Sequence, residues 1–387
     1  MSGRLLRLVC TAAVAAGTLL APTPAAAVPD PGPGTGTRAD TSAGTAGQRS
    51  VAQLLTDLQR LYRDAERATE TYNATADKLK KQRAEVTRLD SDLAQARLSL
   101  HDSRGEAGRL ARQQYQGSDE ISSYVRLLLA RDPQHALDQG HVLGQLSLER
   151  AETVQRVTGS EKRTETLALA ARKALDTQLG LAERQKKDRD DVSKRLDAVQ
   201  DLLASLTADQ LAELDRFEKS GVAEAQKKFL ASGSLSSAKP PSREGEKAVR
   251  YAVRQIGKPY VWGAEGPKSY DCSGLTSQAW VHAGDPIPRT SQEQWARLPR
   301  IPLSELRPGD LVIYFPEATH VALYLGDGMV VQAPRPGTNV KVSPIAANPL
   351  LGAVRPDPAG KPLRHYTPPK LPAPATKGSD TGNNRTS

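Results

Sequence analysis

Cysteine is almost missing from this sequence: Cys10 and Cys272 are the only two among 387 residues. Two cysteines cannot build a disulfide framework, and these two lack any zinc-ligand spacing. Aromatic residues are scarce as well, at 4%, within a hydrophobic content of 38%. No single core can run through a chain of this length and composition, so part of it must be elongated or disordered. Proline is nearly absent from one long stretch, since Pro133 alone of the 27 falls within 51–239. That absence permits long uninterrupted helices. No segment carries the roughly 20 apolar residues that a membrane span requires. Acidic residues are outnumbered, 44 against 53 Lys and Arg, for a net charge of +9. A basic balance of this size suits a polyanionic surface such as a cell wall, and it also simply keeps a protein soluble.

The N-terminus supplies a compartment. Arg4 and Arg7 precede an apolar stretch from Leu8 to Ala21, and Ala25-Ala26-Ala27 offers a small-residue cleavage site. Residues 1–27 therefore read as a secretory signal peptide, with the exported chain beginning near Val28. A membrane anchor is the alternative, but the run is short and Pro22 and Pro24 close it. Lipidation is disfavoured because Val9, not a small residue, precedes Cys10, and the apolar run has barely begun there. Losing Arg4 and Arg7 lowers the charge from +9 to +7. It also leaves Cys272 as the sole thiol. Exported proteins pair their cysteines or avoid them, so this one needs its own explanation.

Composition then divides the chain. Residues 28–49 are rich in Pro, Gly, Thr and Ala and read as a flexible leader. Residues 50–231 read as a helical coiled-coil domain. Leu54, Leu58, Leu61, Ala65, Ala68, Tyr72, Thr75, Leu79, Gln82, Val86, Leu89, Leu93, Ala96 and Leu100 step by four and three throughout. A repeat sustained that long predicts a coiled coil. Gly105, Gly108 and Gly117 weaken its end. A second tract runs from about 142 to 232, where Val192, Leu196, Val199, Leu203 and Leu206 keep the same step. Two long tracts joined by an interruption predict an antiparallel hairpin. In the interruption, Ile121, Tyr124, Val125, Leu127, Leu128 and Leu129 form a short apolar helix, and Asp132-Pro133 opens the next. The apolar group either folds back to close the hairpin tip or serves as a docking patch.

Residues 232–243 carry Ser, Gly and Lys-Pro-Pro and read as a linker. Residues 244–357 read as one compact domain, and 358–387 as a disordered tail. All three tryptophans, Trp262, Trp280 and Trp295, lie in the compact domain. Its pattern predicts helices over 244–256 and 272–283. Strands follow over 311–315 and 320–325, then a return strand over 329–333 and a short strand over 340–342. Helices first and an antiparallel meander after them indicate an α+β domain.

Cys272 lies where a loop enters a helix, in Tyr270-Asp271-Cys272-Ser273-Gly274-Leu275. Asp271 or Ser273 can cap that helix, and a thiol in its first turn meets the positive end of the backbone dipoles, which favours thiolate. A buried structural cysteine would sit instead on a mid-helix apolar face. A nucleophilic thiolate needs a base. His282 lies ten residues along the same helix, about 15 Å away. His320 opens a strand and is the base the pattern offers. A three-residue loop at Gly326–Gly328 would place Ala322 opposite Gln332, making His320 and Gln332 diagonal neighbours on one face. A two-residue loop would turn Gln332 to the other face. Gln332 can accept a hydrogen bond from one imidazole nitrogen and fix the tautomer, without the charge of a carboxylate.

Five ordered blocks carry a resemblance. They are Gly257-Lys258-Pro259-Tyr260-Val261-Trp262-Gly263 with Asp271-Cys272-Ser273-Gly274-Leu275; Pro288-Arg289-Thr290-Ser291-Gln292; Leu306-Arg307-Pro308-Gly309-Asp310-Leu311-Val312; His320-Val321-Ala322-Leu323-Tyr324-Leu325-Gly326; and Gln332-Ala333-Pro334. Together they resemble the NlpC-type (NlpC and p-sixty) family of bacterial cell-wall cysteine peptidases. The resemblance implies a papain-like α+β catalytic domain preceded here by a long α-helical coiled-coil hairpin. It implies cleavage of peptidoglycan stem peptides between the side-chain carboxyl of D-glutamate and diaminopimelate. It assigns Cys272 as nucleophile, His320 as base and Gln332 to a third position that more often holds His.

The same resemblance places Tyr260, Asp271 and Ser273 near the substrate, Tyr260 by the oxyanion or substrate amine and the other two by the free amino end. Arg289 either contacts a substrate carboxylate or holds the loop geometry. No metal or cofactor is implied, and no nucleic acid. The helical half resembles, more loosely, coiled coils of secreted cell-separation hydrolases, which implies masking of the site or docking onto a membrane-embedded division complex. The expected protein is thus a secreted, wall-associated peptidoglycan endopeptidase. Two alternatives stand beside it: a non-catalytic wall-binding scaffold, and an amidase or acyltransferase on the same fold.

Overall fold

The structure, a computed structural model, describes residues 50–116, 125, 132–235, 239–373 and 375–376. The signal peptide and leader read over 1–49 lie outside the described residues. So does the apolar segment 118–131 apart from Val125, which is helical and exposed.

Two long helices form the N-terminal half. α1 spans Val51–Gln116 and α2 spans Pro133–Ala204. They run antiparallel within one chain. Gln82 Nε2 donates to the Ala174 carbonyl, and Thr164 Oγ1 to the Ala96 carbonyl. Arg104 pairs with Glu161 at 2.7 Å. Every seam position from Leu54 to Leu100 is buried or half-buried, so the four-three repeat does mark the contact face. Leu89 and Leu93 pack on Ala171 and Ala174 in mid-hairpin. Gly105 and Gly108 do not end α1, which continues to Gln116.

The second tract is not continuous to 232. It breaks at Ser205–Thr207, and α3 (Ala208–Ala231) begins a new direction. Thr207 caps it reciprocally: its hydroxyl accepts from Gln210 N, and Gln210 Oε1 accepts from Thr207 N at 2.9 Å. That capping box is a start signal in the sequence, Thr-x-x-Gln, which the hydrophobic step of four and three conceals. Leu58 and Tyr62 of α1, Val199 of α2 and Leu214 of α3 close a small core at this end.

The C-terminal domain opens with α4 (Arg243–Val253), capped by Ser242. It continues with α5 (Cys272–Ala283) and α6 (Ser291–Arg297). Six strands follow: β1 (Arg300–Ile301), β2 (Leu311–Tyr314), β3 (His320–Gly326), β4 (Met329–Gln332), β5 (Lys341–Pro344) and β6 (Leu350–Val354). They make one antiparallel sheet in the order β1-β6-β2-β3-β4-β5. One sheet face buries Leu311, Ile313, Val321, Leu323 and Val331 against α4 and α5. The other buries Val312, Tyr314, Ala322, Tyr324 and Val330 with Phe229 of α3 packed beside them. Coverage on both faces explains why β2 reads as an unbroken apolar run rather than an alternating one. The α+β reading of this half holds, with a helical hairpin before it.

The β3–β4 turn differs from the three-residue loop expected. Its loop is Asp327-Gly328, with φ of 52° and 69°, which is the two-residue type I′ geometry. Gly326 pairs Met329, yet a register shift at Leu325 restores Tyr324 opposite Val330 and Leu323 opposite Val331. Carried back one residue, that register sets Ala322 against Gln332. The bulge therefore compensates for the shorter loop, and Gln332 keeps the face it shares with His320.

Residues 358–373, read as part of a disordered tail, lie against the domain instead. Leu363 N donates to the Pro241 carbonyl at 2.8 Å. Arg307 holds Asp357 at 3.0 Å in a buried ion pair and donates to the Gly360 carbonyl. No helix among the described residues is long and apolar enough to cross a membrane.

Candidate active site

Cys272 is the first residue of α5, and Asp271 is its N-cap. Asp271 Oδ1 accepts from Gly274 N at 2.6 Å. Gly274 is required here by close approach: a Cβ would strike the Ala264 carbonyl, which itself accepts from Asp271 N at 3.0 Å. The loop carrying Tyr260 is thus pressed onto the start of α5. Trp280 fixes the helix from the other side by donating its indole N–H to the Gly309 carbonyl at 3.2 Å.

His320 begins β3, and its Nε2 lies 2.6 Å from Gln332 Oε1. The carboxamide oxygen can only accept, so Nε2 carries a proton and Nδ1 is the nitrogen left for chemistry. The backbone N–H of Val321, next to His320, hydrogen-bonds to the Cys272 sulfur. The Cys272 sulfur is thus held against the start of β3, at the residue that follows His320. His282, at the far end of α5, is exposed and stacks on Tyr251 with ring centroids 4.0 Å apart. The structure brings Cys272, His320 and Gln332 together and leaves His282 out.

The four flanking residues sit on the Cys272 side. Arg289 donates Nη2 to Asp271 Oδ2, Nη1 to Ser273 Oγ and Nε to Glu265, each at 2.8 Å. It thus holds Asp271 and Ser273 in place. Tyr260 is buried beside the thiol, and burial first, then Cys272 and the nearby carboxylates, raise its phenol well above the ordinary value. Among the described residues no group of three or more His, Cys, Asp or Glu is placed to hold a metal ion.

α1 lies in this cleft, one of the two roles that the looser resemblance implied for the helical half; the residues that enter it are not disclosed by the sequence. Glu70 Oε1 accepts from Ser273 Oγ at 2.7 Å and stands 3.8 Å from the Cys272 sulfur. Glu70 Oε2 accepts from Ser291 N at 2.8 Å. Glu66 Oε1 approaches His320 Nδ1 to 3.4 Å. Asn73 Nδ2 donates to Asp271 Oδ2 at 3.0 Å. Tyr72 meets Trp262 edge-on with centroids 4.9 Å apart. Arg67 pairs with Glu317 at 2.9 Å on the rim. In consequence Cys272 is 2% exposed and His320 and Gln332 are 1% exposed.

This cover reverses the expectation of a thiolate. Burial raises the Cys272 thiol well above its ordinary value, and the carboxylates of Glu70, Asp271 and Glu66 raise it further. These outweigh the Val321 N–H and the helix start. His320 is raised too. Burial alone would lower it, but Glu66, Gln332 and Glu70 together stabilise the imidazolium. Glu70 is pushed up to about 7, by burial first and then by Asp271. With α1 in place the cleft favours the protonated thiol, and the Glu66 carboxyl lies beside the His320 imidazole.

Residues 257–351 match the NlpC/P60 family. A probable endopeptidase of Corynebacterium glutamicum (strain R) is 41% identical over 125 residues, covering 32% of this chain and 59% of that protein. The peptidoglycan endopeptidase RipA of Mycolicibacterium smegmatis is 39% identical over 123 residues, 27% of this chain and 25% of RipA. Among solved structures, the NlpC/p60 domain of the peptidoglycan hydrolase SagA is 34% identical, with a TM-score of 0.27 over 29% of this chain and 97% of that domain. The chain thus spans less than two thirds of the curated relatives it matches. The matched span holds all seven residues around the thiol and imidazole but none of α1. Residues 257–351 thus form an NlpC/P60 family domain.

Proposed function

We propose that this chain is an exported peptidoglycan endopeptidase, and that it hydrolyses the bond between D-glutamate and diaminopimelate in stem peptides. The observation that carries the reading is the His320 Nε2 to Gln332 Oε1 hydrogen bond of 2.6 Å beside a cysteine at a helix start. It leaves Nδ1 as the base toward the thiol. Cys272 attacks the carbonyl of the glutamyl side chain. Backbone N–H groups at the start of α5 receive the oxyanion. His320 protonates the leaving amine and then activates water against the acyl-enzyme. Asp271 and Ser273 take the free amino end, and Tyr260 borders the oxyanion. Arg289 positions Asp271 and Ser273.

The same geometry supports a second part of the reading: the chain is latent while α1 occupies the cleft. Every group assigned to substrate or catalysis is either sealed or hydrogen-bonded to α1. The names of the relatives, probable endopeptidase and peptidoglycan endopeptidase, support the substrate class. Export and wall association rest on the signal peptide read over residues 1–27.

The test uses the full chain with Glu66→Ala and Glu70→Ala, incubated with purified peptidoglycan. Mass spectra of the released fragments are expected to show new termini between D-glutamate and diaminopimelate, and Cys272→Ala in the same background is expected to abolish them. Binding to peptidoglycan with no bond cut would replace the endopeptidase reading with the scaffold one. A new N-terminus elsewhere would indicate an amidase.

A further inference from the structure

Arg335 lies three residues beyond Gln332, outside every role assigned above. It is 9% exposed. Its Nη2 pairs with Glu218 of α3 at 3.0 Å, and its guanidinium stacks 4.4 Å over the ring of Tyr62 of α1. Its Nε has no hydrogen-bond partner among the described residues. A buried guanidinium with an idle donor is an unfinished recognition site, because such groups are normally satisfied. Arg335 also lines a cavity of about 550 Å³ between the hairpin and the sheet, shared with Glu66, Glu218, Phe315 and Gln332. The cavity leads from the third catalytic position outward.

The arginine is fixed by its own loop. Thr338 Oγ1 donates to the Arg335 carbonyl at 2.6 Å, and the Thr338 carbonyl accepts from Tyr260 N at 2.8 Å. The turn that carries Arg335 is therefore fastened to the loop that carries Tyr260. The backbone of that turn is thus tied to the C-terminal domain, while the guanidinium itself is held by Glu218 and Tyr62.

α1 serves as a ruler for the cleft. Tyr62 meets Arg335, Glu66 meets His320, Glu70 meets Cys272 and Ser273, and Asn73 meets Asp271. At about 1.5 Å per residue these contacts span roughly 16 Å in that order. The cleft thus has an Asp271 end and an Arg335 end, with the thiol and imidazole between. Arg335 lies on the imidazole side, about 6 Å beyond the Glu66 contact along the helix. The imidazole protonates the departing amine, so that side receives the residue that leaves.

We propose that Arg335 binds a carboxylate on the amine-donating residue of the substrate, and that Glu218 holds this place while the hairpin is closed. The inference rests on the endopeptidase reading for the direction of the cleft. It goes beyond that reading by naming a specificity residue on the leaving side. A planar guanidinium with Nε and Nη donors suits a two-oxygen ligand better than the single contact it makes with Glu218.

The experiment uses the full chain opened by Glu66→Ala, Glu70→Ala and Glu218→Gln. Substrates are the tripeptide L-Ala-γ-D-Glu-meso-diaminopimelate with free carboxylates, and the same tripeptide with both diaminopimelate carboxyls amidated. Binding is measured calorimetrically with Cys272→Ala added, and KM and kcat are measured with Cys272 intact. The acid is expected to bind about ten- to a hundredfold tighter than the amide, the range of one charge-assisted contact. Arg335→Gln should erase that ratio through KM, and Arg335→Lys should keep part of it. Circular dichroism checks that each variant is folded.

An acid-to-amide ratio unchanged by Arg335→Gln would overturn the assignment, as would failure of the opened chain to bind the acid tripeptide. The two readings separate cleanly. Arg335-dependent binding without cleavage keeps this site and removes the endopeptidase. Cleavage indifferent to Arg335 does the reverse.

Discussion

Glu70 makes the latch sensitive to pH. The carboxylate is 1% exposed and sits between Cys272, Ser273 and Ser291. Glu66 and Asn73 flank it on α1, Asp271 and Arg289 face it from the start of α5 and the loop beyond, and His320 faces it from β3. In the closed cleft it titrates at about 7, against an ordinary value of 4.5. The closed state therefore holds a proton that the open state releases. This contribution to closure is fully present below about pH 4.5 and is lost as pH rises through about 7.

The span corresponds to about 3 kcal/mol, or roughly a 300-fold change in the opening constant. His320 and Cys272 are raised in the closed cleft as well, so they act in the same sense. Glu70→Gln mimics the protonated acid and keeps an acceptor oxygen for Ser273 or Ser291.

Labelling of Cys272 by 4,4′-dithiodipyridine, mapped by mass spectrometry, reads the opening. The ratio of wild-type to Glu70→Gln rates removes the thiol's own ionisation to first order. That ratio is expected to rise up to about tenfold per pH unit between pH 4.5 and 7 and then level off. A ratio flat across that window would rule this latch out, because it would mean that Glu70 ionises as readily in the cleft as in water.

Two further outcomes follow from neighbouring contacts. Gln332→Ala removes a hydrogen bond that raises His320 and fixes its tautomer; in the opened chain kcat should fall about ten- to a hundredfold, with the acid limb of the pH–rate profile moved to lower pH. Leu58 is 1% exposed where α1, α2 and α3 meet, so Leu58→Ala should cost about 2–5 kcal/mol of local packing. Helical circular dichroism should show that loss on heating, and Cys272 labelling should rise at constant pH.

The compact domain was largely legible because its signals are local. A helix start with Asp271 before Cys272, a strand opening on His320 and a hairpin turn within Gly326–Gly328 are each written in adjacent residues, though not the turn's two-residue length. The bulge at Leu325 was not, since nothing in Tyr324-Leu325-Gly326 announces the register shift. Gln332 kept the expected face through a turn that, taken alone, would have moved it. β1 and β6 escaped notice for another reason. β1 has two residues, and the central position of β6 depends on non-local pairing with β2. Thr207 was legible and overlooked, because Val199, Leu203 and Leu206 carry the apolar step up to the break. Residues 358–373 lack apolar periodicity, and they are held by Arg307 and by the backbone bond from Leu363 to Pro241 rather than by a core.

The least legible feature is also the one that governs access to the site. α1 has two working faces, and hydrophobic periodicity reports only one. The seam through Leu58, Leu89 and Leu93 is apolar and packs on α2, at Val199 near one end and at Ala171 and Ala174 in mid-hairpin. The second stripe, Glu66, Thr69, Glu70 and Asn73, is polar yet buried. By composition such residues belong to a solvated surface, and a solvent-facing stripe of a coiled coil looks the same in sequence. Only the partner's chemistry distinguishes them. The cleft holds a hydroxyl, an imidazole, a backbone N–H and a carboxylate with an open acceptor site. A helix can fill it only with carboxylates and a carboxamide donor at spacings of three and four. Glu70 accepts from Ser273 and Ser291, Asn73 donates to Asp271, and Glu66 stands 3.4 Å from His320 Nδ1. The latch is therefore specific to the site it covers, and an apolar helix of equal length would close the hairpin without matching the cleft.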